Sequence, residues 1–208
     1  MSFETYQPNP EEIEKAENVM TDEQKRMSAE REEAFLSLKP PRLDLEKGTV
    51  ILDLDARLVD IERLKEKLEP EGFSPKSEFH FTVVGFKSGR RLVQALKMRP
   101  AAAEKVRALI EGTDWGLEST PKIYRIAKDY NLKDSATGEA RVEQRESIVE
   151  VLGLSGLDEF YRSLSAVSGT ELEPQFPHLT LFTKGNSAGI GVNSREEFDK
   201  MNPEEIKL

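Results

Sequence analysis

The hydrophobic pattern of the chain changes from the strand period to the helix period in the same order in two successive halves. Each half has a β-prone apolar run, then apolar residues spaced three or four apart, then a second apolar run. The predicted strand, helix and strand are 48–55, 58–69 and 78–86 in the first half, and 140–152, 157–167 and 178–183 in the second. The sequence therefore predicts two β-α-β units, which form a weak internal repeat.

The segment between the two units predicts a helix and further strands. Apolar spacing indicates a helix over 92–96, after a turn at Gly89; the helix is interrupted near Pro100, continues over 101–110 and stops at Gly112. Residues 115–118 and 122–130 predict two short strands. We expect the second of them to form a long hairpin with the strand that begins at residue 140.

Residues 1–41 form a separate N-terminal region. Cap and stop signals predict two helices between residues 10 and 38. Residues 1–38 hold ten acidic and four basic side chains. We therefore divide the chain into an acidic helical extension, 1–41, and one two-lobed domain, 42–208. The extension is interpreted as a solvated appendage, with a lid or partner-binding arm as the alternative.

Composition limits the classes of function. The net charge is −9, and an acidic chain is poorly suited to duplex DNA, whose binding depends on neutralising many phosphates. A small nucleotide or a single RNA end remains compatible. No apolar run approaches 18 residues, so we expect no membrane partner, and the N-terminus predicts no secretory signal. The chain has no cysteine, which excludes disulfides and fits a cytoplasmic location. We expect a monomer.

The two closing strands each carry a histidine followed two positions later by a threonine. Residues i and i+2 of a strand point to one face, so His80 projects with Thr82, and His178 projects with Thr180. The chain has no other histidine, and histidine is the side chain that titrates nearest to neutral pH. With ten threonines in 208 residues, both histidines have this neighbour by chance about once in four hundred chains. A packed core histidine is the alternative for either residue alone.

Two imidazoles that face one cleft suit the opening of a phosphodiester without a metal. One acts as general base on the attacking oxygen, and the other protonates the leaving oxygen. The hydroxyls of Thr82 and Thr180 can donate hydrogen bonds to the non-bridging phosphate oxygens. No His-Glu-x-x-His motif is present and no carboxylate lies two positions after either histidine, so we expect no metal and no other cofactor.

The segments His80-Phe81-Thr82-Val83 and His178-Leu179-Thr180-Leu181 resemble the paired motifs of the two-histidine (2H) phosphoesterase superfamily. This superfamily includes RNA 2′,3′-cyclic phosphodiesterases and 2′-5′ RNA ligase-like proteins. The resemblance covers roughly residues 45–200. It implies an α+β fold with two pseudo-symmetric lobes, in which two antiparallel sheets flanked by helices form a central cleft. It also implies His80 and His178 as catalytic residues, Thr82 and Thr180 as phosphate-binding residues, and a cyclic phosphate or RNA end as substrate.

One departure concerns the arginine that family members often place shortly after the second motif. The nearest cation here is Lys184, which six residues of strand place about 20 Å beyond His178. Other residues could contact the substrate, although ordinary exposed sheet positions are the alternative for each of them. These candidates are Tyr124, Tyr130, Arg141 and Arg145. A loop over 185–191 could approach a phosphate with its amides, but its spacing matches no phosphate-loop pattern and favours a plain turn.

The sequence thus predicts a hydrolase, a metal-independent cyclic phosphodiesterase that acts in RNA processing or repair. Two alternatives stay open. The first is a nucleotide or RNA-end binding module that keeps the cleft without turnover. The second is an interaction protein that acts through the N-terminal helices. The pattern does not assign the acid and base roles between His80 and His178.

Overall fold

The computed structural model describes residues 41–44, 46–55, 59, 61–133 and 138–207, and for residues 117–121 it describes the backbone alone. The predicted N-terminal helices over 10–38 lie outside the described residues. The strands are β1 (Arg42–Leu43), β2 (Val50–Leu54), β3 (Ser74–Pro75), β4 (Phe79–Val84), β5 (Gly116–Lys133), β6 (Ala140–Ser155), β7 (His178–Lys184) and β8 (Glu204–Glu205). The helices are α1 (Ile61–Leu68), α2 (Phe86–Met98), α3 (Ala102–Gly112), α4 (Leu157–Ser168) and α5 (Arg195–Lys200), and a 3₁₀ turn follows α1 (Glu69–Glu71).

The fold is α+β, as predicted, and the described strands form one antiparallel sheet. The strand order is β1-β2-β4-β7-β6-β5-β8, and the short β3 pairs with the far end of β7. Six of these strands form a palindrome in which β1-β2-β4 mirrors β5-β6-β7. Each half is thus a hairpin, a helix and a returning strand, which confirms the predicted internal repeat and adds one strand to each unit.

The described strands do not form the two separate sheets that the family resemblance implies. β4 and β7 lie side by side at the centre, where Phe81 pairs directly with Leu179. Both side chains are 1% exposed and point into the same core. Because this apolar pair joins the two inner strands backbone to backbone, the two halves make one continuous sheet.

Two boundaries differ from the sequence prediction. Residues 115–118 and 122–130 are not two strands, because β5 runs without a break from Gly116 to Lys133 and absorbs a register shift between Glu118 and Lys122. Gly89 is not a turn, because it lies inside α2. The hairpin of β5 with β6 and the helix within 157–167 are confirmed.

The sheet separates two hydrophobic clusters. The larger cluster lies between one face and helices α1 to α4, and it contains the inward residues Phe81 and Leu179. Fully burying a side chain of the size of Phe81 stabilises the fold by about 1.5–3 kcal/mol. The smaller cluster lies on the other face of the second half, under the segment after β7, with Val149, Ile190 and Phe198 among its members. His80 and Thr82, which point outward from β4, are left half-buried.

The close approach of α2 to the turn before β2 gives a test of the packing. A Cβ atom built on Gly89 would lie 2.6 Å from the carbonyl oxygen of Lys47 and 2.8 Å from that of Gly48, both backbone atoms. We expect Gly89→Ala to lower the free energy of unfolding by about 1–2 kcal/mol, because overpacking against backbone outweighs the gain in helix propensity of about 1 kcal/mol. Urea unfolding measures the change. The control is Gly112→Ala, where nothing lies within 4 Å, and a Gly89→Ala protein as stable as the wild type would contradict the packing.

Candidate active site

The antiparallel pairing of β4 with β7 brings the two histidine motifs together. With Phe81 opposite Leu179, the register places His80 opposite Thr180 and Thr82 opposite His178. All four side chains lie on the sheet face opposite the main core, because they alternate with the buried Phe81 and Leu179. They line one small cavity of about 50 Å³, together with Lys76, Glu78 and Ala188. The four residues predicted from the sequence therefore share one cavity.

His178 is fixed in orientation. It is 9% exposed, and its ring Nδ1 lies 2.9 Å from the carbonyl oxygen of Phe176. A carbonyl only accepts hydrogen bonds, so we assign the ring proton of the neutral imidazole to Nδ1. Nε2 then carries the lone pair and is the nitrogen left for the cavity. The ring of Phe176 stacks beside the imidazole, with 6.3 Å between the centroids.

Burial lowers the pKa of both histidines. For His178, desolvation is the largest effect, the Phe176 carbonyl raises the pKa, the positive charge of His80 lowers it further, and the charge of Glu197 raises it. For His80, desolvation is again the largest effect; the charge of Asp53 raises the pKa and the charge of Lys76 lowers it. Because the two imidazoles repel each other when charged, the cavity favours at most one imidazolium at a time.

The two halves of the sheet differ beside their histidines. Asp53 of β2 lies opposite His80, and the guanidinium of Arg42 holds its carboxylate through Nη2–Oδ1 at 2.7 Å and Nε–Oδ2 at 2.6 Å. The residue opposite His178 on β6 is Val151. A carboxylate therefore neighbours one imidazole, and an apolar side chain takes the corresponding place beside the other.

The sequence analysis missed two residues that line the cavity, Lys76 and Glu78. Lys76 lies in the connection between β3 and β4 and donates from Nζ to the carbonyl oxygen of Ser187 at 2.8 Å. Residues 76, 78, 80 and 82 are spaced two apart, as on one face of a strand. This spacing was the signal in the sequence, although Lys76 precedes the strand itself. Lys184 lies outside the cavity, because its Nζ pairs with Glu146 Oε1 at 2.9 Å.

The four secondary candidates do not line the cavity. Tyr124 packs edge-on against Phe198, with 5.3 Å between the ring centroids. The guanidinium of Arg145 lies 4.2 Å from the ring centroid of Tyr130. Arg141 and Arg145 both approach the carboxylate of Glu143. The physical reason is that the β6–β7 ladder ends at Glu146, so Arg141 and Arg145 lie on a part of the hairpin that extends past β7.

The loop over 185–191 forms one wall of the cavity. Ala188 lines it, but the amide of Ala188 already donates to Asn186 Oδ1 at 2.9 Å. Gly189 has a φ of +74°, and a Cβ atom there would lie 3.4 Å from Cγ2 of Thr180. The loop therefore encloses the threonine by close packing.

In comparisons with known proteins, no family model, curated protein or solved structure matches the chain. None of the described helices is long and apolar enough to cross a membrane. Within the described residues, no group of three or more histidine, cysteine, aspartate or glutamate side chains is arranged to hold a metal ion.

The electrostatics of the cavity predict the titration of its two imidazoles. We expect both to titrate below the ordinary histidine pKa of about 6.5, so the ligand-free protein holds both neutral at pH 7.5. Ring-proton NMR from about pH 8 to pH 4.5 measures both values. In His80→Gln, the remaining pKa of His178 should rise, because the charge that lowers it has been removed. A His178 pKa above 6.5 in the wild type would contradict the buried position.

Proposed function

We propose that the chain is a metal-independent phosphodiesterase of the two-histidine phosphoesterase type. Its substrate is a 2′,3′-cyclic phosphate or a related phosphodiester of an RNA end or cyclic nucleotide. The observation that carries the proposal is that His80, Thr82, His178 and Thr180 line one cavity from two adjacent strands. The palindromic strand order supports the same family, because it places the two motifs on equivalent strands of two similar halves.

The proposed reaction is an in-line displacement by water. One imidazole accepts a proton from water as the water oxygen bonds to phosphorus, and the bond from phosphorus to the 2′ or 3′ oxygen breaks. The second imidazole takes up a proton from solvent when the anionic phosphodiester binds beside it, because a neighbouring negative charge favours the imidazolium. It then donates this proton to the leaving oxygen. The threonine hydroxyls donate to the non-bridging oxygens, and the Lys76 ammonium offsets their negative charge. The net change is one water added across one P–O bond.

The surroundings of the two histidines distinguish their roles. Burial is the largest effect on the pKa of each histidine, and it disfavours the imidazolium more at His178, which is 9% exposed, than at the half-buried His80. Charges act in both directions at each ring: Asp53 raises and Lys76 lowers the pKa of His80, and Glu197 raises the pKa of His178. When the pair holds one proton, that proton therefore belongs on His80. His80 acts as the general acid, and His178 acts as the general base through Nε2.

Replacing either histidine tests the enzyme assignment. We expect His80→Ala and His178→Ala each to lower the turnover of a 2′,3′-cyclic nucleotide by about a hundredfold or more, because each removes one proton transfer. Phosphorus NMR with a chelator present follows product formation. Lys184→Ala is the matched control, since this cation lies on the same strand outside the cavity. Full activity in either alanine variant would refute the assignment, and wild-type binding without product would favour a binding module.

The identity of the leaving group separates acid from base. A nucleoside 4-nitrophenyl phosphodiester releases an anion that needs no proton, so its hydrolysis depends little on a general acid. We expect His80→Ala to retain much more of the wild-type rate on this substrate than on the cyclic phosphate, whereas His178→Ala is slow on both. Steady-state kinetics on the two substrates give the ratio. The reverse pattern would exchange the two roles while leaving the two-histidine reaction in place.

A further inference from the structure

Helix α2 carries positive charge that the fold leaves unused. Its thirteen residues include Lys87, Arg90, Arg91 and Lys97, all of them exposed, and no acidic residue. Within the described part of the chain, no ion pair is found for Arg90, Arg91 or Lys97. Lys87 has one, at 3.9 Å from Glu173, and an exposed pair of this kind contributes little stability. The charge of α2 is therefore free to act on another segment.

The same helix also exposes apolar side chains. Among the described residues three large apolar side chains are exposed, and two of them, Phe86 at 57% and Met98 at 81%, belong to α2. Phe86, Arg90, Val93 and Lys97 follow at intervals of four, three and four, so they form one row along the helix. Apolar and basic residues alternate in this row, which lines an open depression of about 680 Å³. Such a surface fits an amphipathic helix whose apolar and acidic residues have the same spacing.

The acidic N-terminal extension contains a segment with the matching pattern. A capping box predicts a helix over 21–38, outside the described residues. Within it, Glu23, Met27, Glu30 and Ala34 also follow at intervals of four, three and four. This row alternates acidic and apolar residues and contains no basic one. Most of the stability of a protein helix comes from packing its apolar residues on a surface, so this segment needs such a surface.

The two rows are complementary when the helices run antiparallel. The facing pairs are Ala34 with Phe86, Glu30 with Arg90, Met27 with Val93, and Glu23 with Lys97. Each acidic residue then faces a basic one, and each apolar residue faces an apolar one. The two acidic positions are seven residues apart, as are the two basic positions, so both span about 10 Å of helix. A parallel arrangement of the same positions would place each acidic residue against an apolar one.

The chain enters the described fold at the correct end of α2 for this arrangement. Leu43 of β1 pairs with Val50 of β2, and Val50 pairs with Val84 of β4, two residues before α2 begins. Two strand spacings place Leu43 about 10 Å from Val84. The seven residues from Ala34 to residue 41 span at most about 25 Å. Ala34 can therefore reach the first turn of α2.

We propose that residues 21–38 form a helix that packs antiparallel on the exposed row of α2 within the same chain. A short tether raises the effective concentration of the two surfaces to about the millimolar range, so a few weak contacts suffice. α2 packs on the main-core face of the sheet through Leu92, whereas the cavity of His80 and His178 lies on the other face. The segment therefore docks away from the cavity and is not a lid over it.

Disulfide formation in the full chain tests the contact, because the chain has no cysteine of its own. We expect Met27→Cys with Val93→Cys to form an intramolecular disulfide under mild oxidation, since facing positions of packed helices bring two cysteines within bonding distance. The matched control is Lys25→Cys with Val93→Cys, because position 25 lies on the far side of the predicted helix. The control should react about tenfold more slowly. Non-reducing gel electrophoresis with mass spectrometry measures both rates, and a folding defect from Val93→Cys would affect both chains equally.

Charge reversal tests the paired rows. In the chain with cysteines at 27 and 93, Glu23→Lys with Glu30→Lys should lower the disulfide rate about fivefold or more, because two ion pairs become like-charge contacts. Adding Arg90→Glu with Lys97→Glu should restore the rate, since both pairs then form with opposite sign. Adding Lys65→Glu with Lys67→Glu instead makes the same change of net charge on α1 and should not restore it.

Four results would overturn the proposal. Equal rates for positions 25 and 27 would show contact without a preferred helix face. Equal restoration by the α1 and α2 changes would show an unspecific effect of charge. A disulfide that forms between molecules and slows on dilution would assign α2 to a second copy of the chain. A Met27→Cys rate as slow as that of the control would leave α2 to an anionic partner outside the chain.

The docked segment and the proposed reaction fail independently. Turnover of a cyclic nucleotide should be the same with and without Glu23→Lys and Glu30→Lys, because the segment docks away from the cavity. A changed turnover would contradict this position and favour a lid. If the wild type has no turnover, the disulfide rates still decide the contact, and the reaction alone is refuted.

Discussion

The direct pairing of Phe81 with Leu179 is the constraint on which the site depends. Strand side chains alternate with a period of two, so one residue of slip in either inner strand would turn its histidine and threonine into the core. Phe81 and Leu179 prevent this slip, because each is buried in the main cluster and would be expelled by it. The ladders of β2 with β4 and of β6 with β7 hold the same register from both sides.

Much of this could be predicted from local pattern. The period-two alternation of β4 and β7 was enough to place the two histidines and two threonines on common faces, and the repeated strand and helix order identified the two halves. Lys76 was not predicted as a site residue, because it precedes its strand and its position depends on a contact with the distant Ser187. Gly89 was misassigned for a similar reason, since its role is a close approach to Lys47 and Gly48, which local pattern does not contain.

The two halves repeat in backbone and differ in side chains. Asp53 and Val151 occupy equivalent places, so the repeat presents two imidazoles in unlike electrostatic environments. On the site face, the segment after β7 covers the second half with Ile190, Val192 and Phe198. The two similar backbones thus place two imidazoles on adjacent strands, and differences in a few neighbouring side chains make these imidazoles chemically distinct.

The β5–β6 hairpin has a consequence beyond the site. β6 continues past the end of β7, so none of the described strands pairs with residues 140–145 on that side. A free strand edge invites pairing with a second chain, above all where an apolar residue such as Val142 is 66% exposed. Arg141, Glu143 and Arg145 flank that valine with charges of alternating sign. Charged side chains on an exposed edge disfavour its pairing with a second strand, so the ribbon can extend into solvent with little tendency to template aggregation.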